Sequence, residues 1–174
     1  PEARFPASAS AAFWRASEEC ARLAGEAQDR FVAALEQDLE VEPSKTNLMM
    51  TGEQMREMIR KGHTIGSHTL THPNMAYVDA ASAERELGES RRRLEEATAS
   101  RVVHFAYPGP ALSPIWSVET LAASRRAGYE TAVTTTSGLV RKGDDPLCLR
   151  RLGAAKNLEQ WRWNLECTFA GRRM

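Results

Sequence analysis

Three of the four histidines fall close together, at His63, His68 and His72. The pair His68 and His72 stands in the run Gly66-Ser67-His68-Thr69-Leu70-Thr71-His72-Pro73. A spacing of four puts two imidazoles on one side of a helical turn, near enough to share one ion. Thr69 and Thr71 carry hydroxyls that can bond local backbone and hold such a turn in shape. Taken alone, H-x-x-x-H fits two polar residues of a surface turn equally well. Its surroundings must decide.

The elements that would position the pair are legible in the periodicity. His63 to Thr69 is short, changes period and predicts a strand leading into the histidines, and α/β folds gather ligands beyond the carboxyl ends of strands. Thr51 with Gln54 predicts a capping box opening a helix that Gly62 closes. A second helix is predicted from Val78 to about Ser100, with Ala80, Ala83, Leu87, Leu94 and Ala97 on one face. Val102 to Tyr107 is the clearest strand, stopped by Pro108-Gly109-Pro110. A helix from Ser117 to Ala127, ended by Gly128, precedes a β-branched strand from Tyr129 to Thr136. A turn at Lys142–Pro146, a strand over Leu147–Leu152 and a helix capped by Asn157 and Gln160 complete the series. That last helix carries Leu158, Trp161, Leu165 and Phe169 on its apolar side. Ahead of all this, Phe13, Ala16, Cys20, Ala24, Ala27, Phe31 and Ala34 make one apolar stripe, and Val41 to Leu48 predicts a loop. Strands separated by helices predict an α/β chain with a mainly parallel sheet.

Composition narrows the class of partner. The 174 residues include 42% apolar and 26% charged types, with 23 basic and 23 acidic side chains and no formal net charge. One folded domain is expected, without the basic stripe of a nucleic-acid binder. The run Arg91-Arg92-Arg93 lies in a helical pattern and predicts a solvated face. No stretch approaches the roughly 20 apolar residues of a membrane span, and the first ten residues show no signal-peptide pattern. Cys20, Cys148 and Cys167 are far apart and predict buried thiols instead of a zinc ribbon or disulfide framework.

The motifs G-H-T-I-G-S-H-T-L-T-H-P-N-M, F-A-Y-P and A-G-Y-E-T-A-V-T-T together resemble the NodB-homology polysaccharide deacetylases, carbohydrate esterase family 4. The likeness runs over roughly residues 51–170 and continues through D-P-L-C-L-R-R-L. It implies a partial or distorted (β/α) barrel. Residues 1–174 would form one domain, with a helical N-terminal insert and loop over 1–48 and the barrel portion over 49–174. The implied activity is metal-dependent hydrolysis of N-acetyl groups on an N-acetylated polysaccharide, giving a free amine and acetate. The resemblance makes His68 and His72 the ligands of a divalent ion, most often zinc, with Thr69 bracing their loop. Tyr107, Pro108 and Gly109 occupy a groove-lining motif, with the Gly109 N–H as oxyanion donor. Such an activity would suit the cell envelope, periplasmic or extracellular.

Departures from the family pattern matter as much. Its third metal ligand and general base are aspartates of a T-F-D-D-G motif normally well upstream of the histidines, and no such motif occurs here. Asp144-Asp145 follows the histidines and predicts a solvated turn, and Asp29, Asp38 and Asp79 are weak substitutes. Ala106 places the chain in the F-A-Y-P subgroup, yet Gly109-Pro110 replaces that subgroup's usual aromatic and glycine. No late Leu-x-His supplies a general acid. Arg151, at a strand end, would support substrate or site electrostatically, or serve in a structural ion pair. His63 and His104 are expected to be structural. Two functions follow. One is a deacetylase domain whose base lies before Pro1, the present chain being a fragment; the other is a non-catalytic carbohydrate-binding or interaction module of the same fold.

Overall fold

The computed structural model describes residues 9–41, 49–109 and 112–172. The predicted 41–48 loop lies outside the described residues except for Val41, and so does Pro110. The N-terminal stripe folds as two helices, α1 (Ala9–Ala21) and α2 (Glu26–Asp38), not as one. The break falls at Gly25, whose φ of 55° places it in the left-handed region where a side chain is costly. The stripe is no core face: Phe13 is 63% exposed.

Four later helices match the sequence expectations in position. α3 (Gly52–Arg60) opens on the Thr51–Gln54 capping box, and α4 (Ala80–Thr98) is capped by the Asp79 carboxylate, which accepts from Ser82 N. α5 (Val118–Arg126) starts at a second capping box, Ser117 with Thr120, and α6 (Leu158–Phe169) starts at Asn157. In α6 the predicted apolar side is largely not buried, since Leu158 and Phe169 are exposed. Arg92 and Arg93 pair with Glu89 and Glu96 along the solvated face of α4, as expected, but Arg91 is half-buried and bonds Glu95 and the Ala127 carbonyl. The thiols differ from expectation in degree: Cys167 is buried, Cys20 and Cys148 only partly so.

Three strands, β1 (His104–Ala106), β2 (Thr131–Ser137) and β3 (Leu149–Arg151), form an open, wholly parallel sheet in that order. A short 3-10 turn, Pro146–Cys148, leads into β3. The predicted strand over 63–69 is corrected to a single parallel bridge between Ser67 and Phe105. It is held by Ser67 N to His104 O and Ala106 N to Ser67 O, both 2.9 Å. Gly62 and His63 are still bonded back to the end of α3, and of the residues that follow only Ser67 pairs with β1.

The core lies on one face of this sheet, under α4 and α5. Phe105 and Tyr107, two apart and therefore on the same side of the chain, point into it with Ala132 from β2. Leu87, Ala83, Met75, Val102 and Tyr129 fill the space around them. The rings of Phe105 and Tyr129 stack at 5.1 Å, and Tyr129 Oη donates to the Leu87 carbonyl at 2.9 Å. The opposite face carries His104, Thr131, Val133 and Thr135, none of them buried. Among the described residues no helix is long and apolar enough to cross a membrane.

Candidate functional site

Parallel pairing aligns the carboxyl ends of the strands, and the histidine segment leaves the sheet at that edge. Immediately after the Ser67 bridge, His68 Nδ1 meets the Ala106 carbonyl of β1 at 2.7 Å. A carbonyl only accepts, so this contact places the proton on Nδ1 and leaves the Nε2 lone pair of His68 available. The His68 and His72 rings lie 4.9 Å apart, steeply inclined at 75°. Partial desolvation, and then the neighbouring His68, push the His72 pKa below the ordinary imidazole value, which favours its neutral, electron-donating form. The pair does come together, but not on the helical turn that the spacing predicts: residues 68–72 form an irregular loop.

The loop between them is held against its own preferences. Thr69 (φ 68°) and His72 (φ 59°) both occupy the left-handed region, which is unfavourable for side-chain-bearing residues. Thr69 Oγ1 donates to His68 O at 2.5 Å and accepts from His72 N at 3.1 Å, so the hydroxyl ties one histidine's backbone to the other's. The larger anchor is Glu86, a residue that the sequence patterning passes over. Fully buried in α4, its carboxylate accepts from Leu70 N (2.8 Å), Thr71 N (3.0 Å) and Thr71 Oγ1 (2.8 Å). A signal was present: Glu86 sits three residues after Ala83 and four before Ser90, a charged group at core spacing. Ser67 Oγ and Ser90 Oγ, 2.7 Å apart, tie the start of the loop to the same helix.

The remaining predicted site residues separate. Gly109 is exposed and lines a cleft of about 540 Å³ together with Thr71 and His72. Pro108 is buried beneath it. Tyr107 is corrected from a groove residue to a core residue: its side chain is fully buried, its hydroxyl is 3.1 Å from Ser124 Oγ, and burial raises its pKa. Strand alternation is the reason, because Phe105 already faces the helices. Arg151 ends β3 at the same edge but three strand spacings from the Ser67 segment, roughly 14 Å along the sheet at ~4.8 Å per strand. It is exposed.

His104 stands at the start of β1, its Nδ1 2.7 Å from Thr131 Oγ1. His63 is exposed beside Ile59 and Val102, away from the pair. Asp144 accepts from Arg141 N, and Asp145 accepts from Leu147 N and pairs with Arg125, as a solvated turn would. Among the described residues, no cluster of three or more His, Cys, Asp or Glu side chains is arranged to hold a metal ion.

The close approach at Gly109 yields a local prediction. A Cβ built there would lie 2.5 Å from Thr135 Cγ2, inside van der Waals contact. Gly109→Ala is expected to cost about 1 kcal/mol in urea unfolding, and Thr135→Ser, which deletes that methyl, should recover most of it. Equal costs of Gly109→Ala with and without the Thr135 methyl would refute the contact.

A parallel sheet with paired imidazoles beyond its carboxyl edge describes an α/β protein with a half-built ligand site. The chain belongs to the polysaccharide deacetylase family, whose model matches residues 31–132. It is 32% identical over 75 residues to a chitooligosaccharide deacetylase of Sinorhizobium fredii, covering 42% of this chain and 33% of that protein. It is 27% identical over 103 residues to the Bacillus subtilis protein YxkH, covering 59% and 36%. Among solved structures, the Streptococcus pyogenes deacetylase PplD in complex with acetate superposes with a TM-score of 0.61 at 27% identity, over 72% of this chain and 52% of that one. The chain therefore spans about a third of the length of these curated relatives and about half of PplD.

Proposed function

We propose that this chain carries part of the active site of a metal-dependent N-deacetylase acting on an N-acetylated polysaccharide. The carrying observation is the His68 Nδ1 contact to Ala106 O, which turns an Nε2 lone pair outward next to a second imidazole. That donor set suits a divalent ion such as zinc, which when bound supplies Lewis acidity toward an acetamide oxygen and lowers the pKa of water. His68 and His72 would hold it, and Thr69 and Glu86 keep the loop that carries the two rings in place. Gly109 offers its N–H toward the developing oxyanion, Pro108 supports that backbone from below, and Tyr107 contributes through main chain alone. Arg151 lies across the carboxyl edge and attracts the acidic or hydroxyl-rich flank of a longer glycan.

Two imidazoles do not complete a four-coordinate site, so this reading assigns the third ligand and the proton acceptor to acids outside the described residues. The sheet supports it: parallel sheets are normally covered on both faces, and here none of His104, Thr131, Val133 and Thr135 on the second face is fully buried. We take the three strands and the Ser67 bridge as an arc of a (β/α) barrel formed by residues 49–174, with 1–48 as an insert in the same domain. The second reading, a carbohydrate-binding module without catalysis, is favoured by the lack of a third ligand beside the pair among the described residues.

The test is calorimetric titration of the 174-residue chain with zinc. Weak binding is expected, lost in His68→Ala and in His72→Ala; undiminished affinity in the double variant would overturn the site. Acetate release from N-acetylglucosamine oligomers by this chain should stay at background. Glycan affinity that a chelator leaves untouched would favour the second reading.

A further inference from the structure

We propose that the α1–α2 hairpin is a substrate wall, on which a pyranose ring of the polysaccharide stacks against Trp14 and Phe13 beside His72. The identity of the sugar rests on the deacetylase reading above; the wall rests on the geometry. The open cleft that Gly109 and His72 share is also lined by Phe13, Trp14 and Val32. Its volume of about 540 Å³ falls within the roughly 300–1,000 Å³ typical of small-ligand sites.

Phe13 and Trp14 are the reason to assign it a sugar. Their rings meet edge to face at 5.4 Å, and they are 63% and 56% exposed. Two adjacent large aromatics left exposed at the lining of a cleft point to a ligand. A pyranose has an apolar C–H face and a hydroxyl-rich rim, and the cleft offers the matching pair of surfaces. The aromatic rings take the face, and the Ser17 hydroxyl and the amide oxygen of Gln28, whose Nε2 donates to Cys20 O at 3.4 Å, lie within the same lining for the rim.

The hairpin is fastened to the histidine loop, so the wall keeps a set distance from His72. Asn74 N donates to Ala21 O at 2.9 Å, and Gly25 N donates to Thr71 Oγ1 at 3.4 Å. The Arg22 guanidinium lies 5.0 Å from the centre of the Tyr77 ring. Thr71 is also held by Glu86, so one carboxylate indirectly fixes both the loop and the wall.

The experiment is titration of the 174-residue chain with the tetramer of N-acetylglucosamine, with zinc affinity measured in parallel on every variant. Trp14→Ala is expected to weaken glycan binding about tenfold, Trp14→Phe to lose less, and zinc affinity to stay unchanged in both. Trp163→Ala, an exposed tryptophan of α6 outside the cleft, should bind as wild type. Wild-type glycan affinity in Trp14→Ala overturns the proposal, as does absence of glycan binding in a chain that still binds zinc. Self-association abolished by Trp14→Ala overturns it too, because the aromatics would then be covering a second copy. Glycan binding lost in Trp14→Ala without any zinc response sinks the metal reading and upholds the wall.

Discussion

Glu86→Ala is expected to destabilise the chain by about 3 kcal/mol and to loosen the His68–His72 pair with it. The carboxylate is the acceptor for two backbone N–H groups and one hydroxyl of the histidine loop, and it is fully buried in α4. Truncation leaves those three donors facing a cavity. It also removes the bonds that offset the cost of the left-handed backbone at Thr69 and His72. Glu86→Gln keeps one oxygen to accept from both N–H groups, while the Thr71 hydroxyl reverses to accept from the new amide. It should therefore cost only about 1 kcal/mol. Urea unfolding measures the first effect, and zinc titration of the still-folded fraction measures the second. An unfolding midpoint for Glu86→Ala equal to wild type would mean that the loop stands without this anchor.

The second large effect is expected at Tyr107, and it separates packing from substrate contact. Tyr107 touches the Phe105 ring at 4.8 Å and the Trp116 ring at 6.3 Å, and none of its surface reaches solvent. Tyr107→Ala should cost about 3–5 kcal/mol, the range for emptying an aromatic side chain from a packed core. Tyr107→Phe keeps the ring and loses only the Ser124 contact; because Ser124 Oγ also donates to Thr120 O at 2.9 Å, about 1 kcal/mol is expected. Folded Tyr107→Phe should bind the glycan tetramer as wild type does. A stable Tyr107→Ala with weakened glycan binding would return the residue to the groove.

Both effects arise from residues whose roles are set by distant partners, and this marks where the sequence stops being informative. The caps of α3 and α6 were legible because an N-cap residue and its partner three positions on settle a helix start within one turn. The extent of α4 and the parallel character of the sheet followed from periodicity and from strands alternating with helices. The strand expected at 63–69 failed because a strand needs a ladder, and pairing depends on a neighbour that periodicity does not name. Only Ser67 finds one. The N-terminal stripe misled for a related reason: spacing records which residues share a face, not whether anything covers it, and Gly25 split the face in two.

By itself, then, the sequence determined the local chemistry: two imidazoles four apart, a threonine between them to tie their backbones, and the helices and turns around them. Those are short-range matters, decided within a few bonds of the residues concerned. Tertiary structure decided which lone pair His68 presents, through a carbonyl 38 residues away. It decided that Glu86, 15 residues beyond Thr71, is buried to hold the loop, and that Tyr107 lies in the core while Phe13 and Trp14 line the cleft that His72 lines. Burial and hydrogen-bond partnership at such separations depend on which surfaces meet when the chain closes, and a one-dimensional pattern carries no coordinate for that.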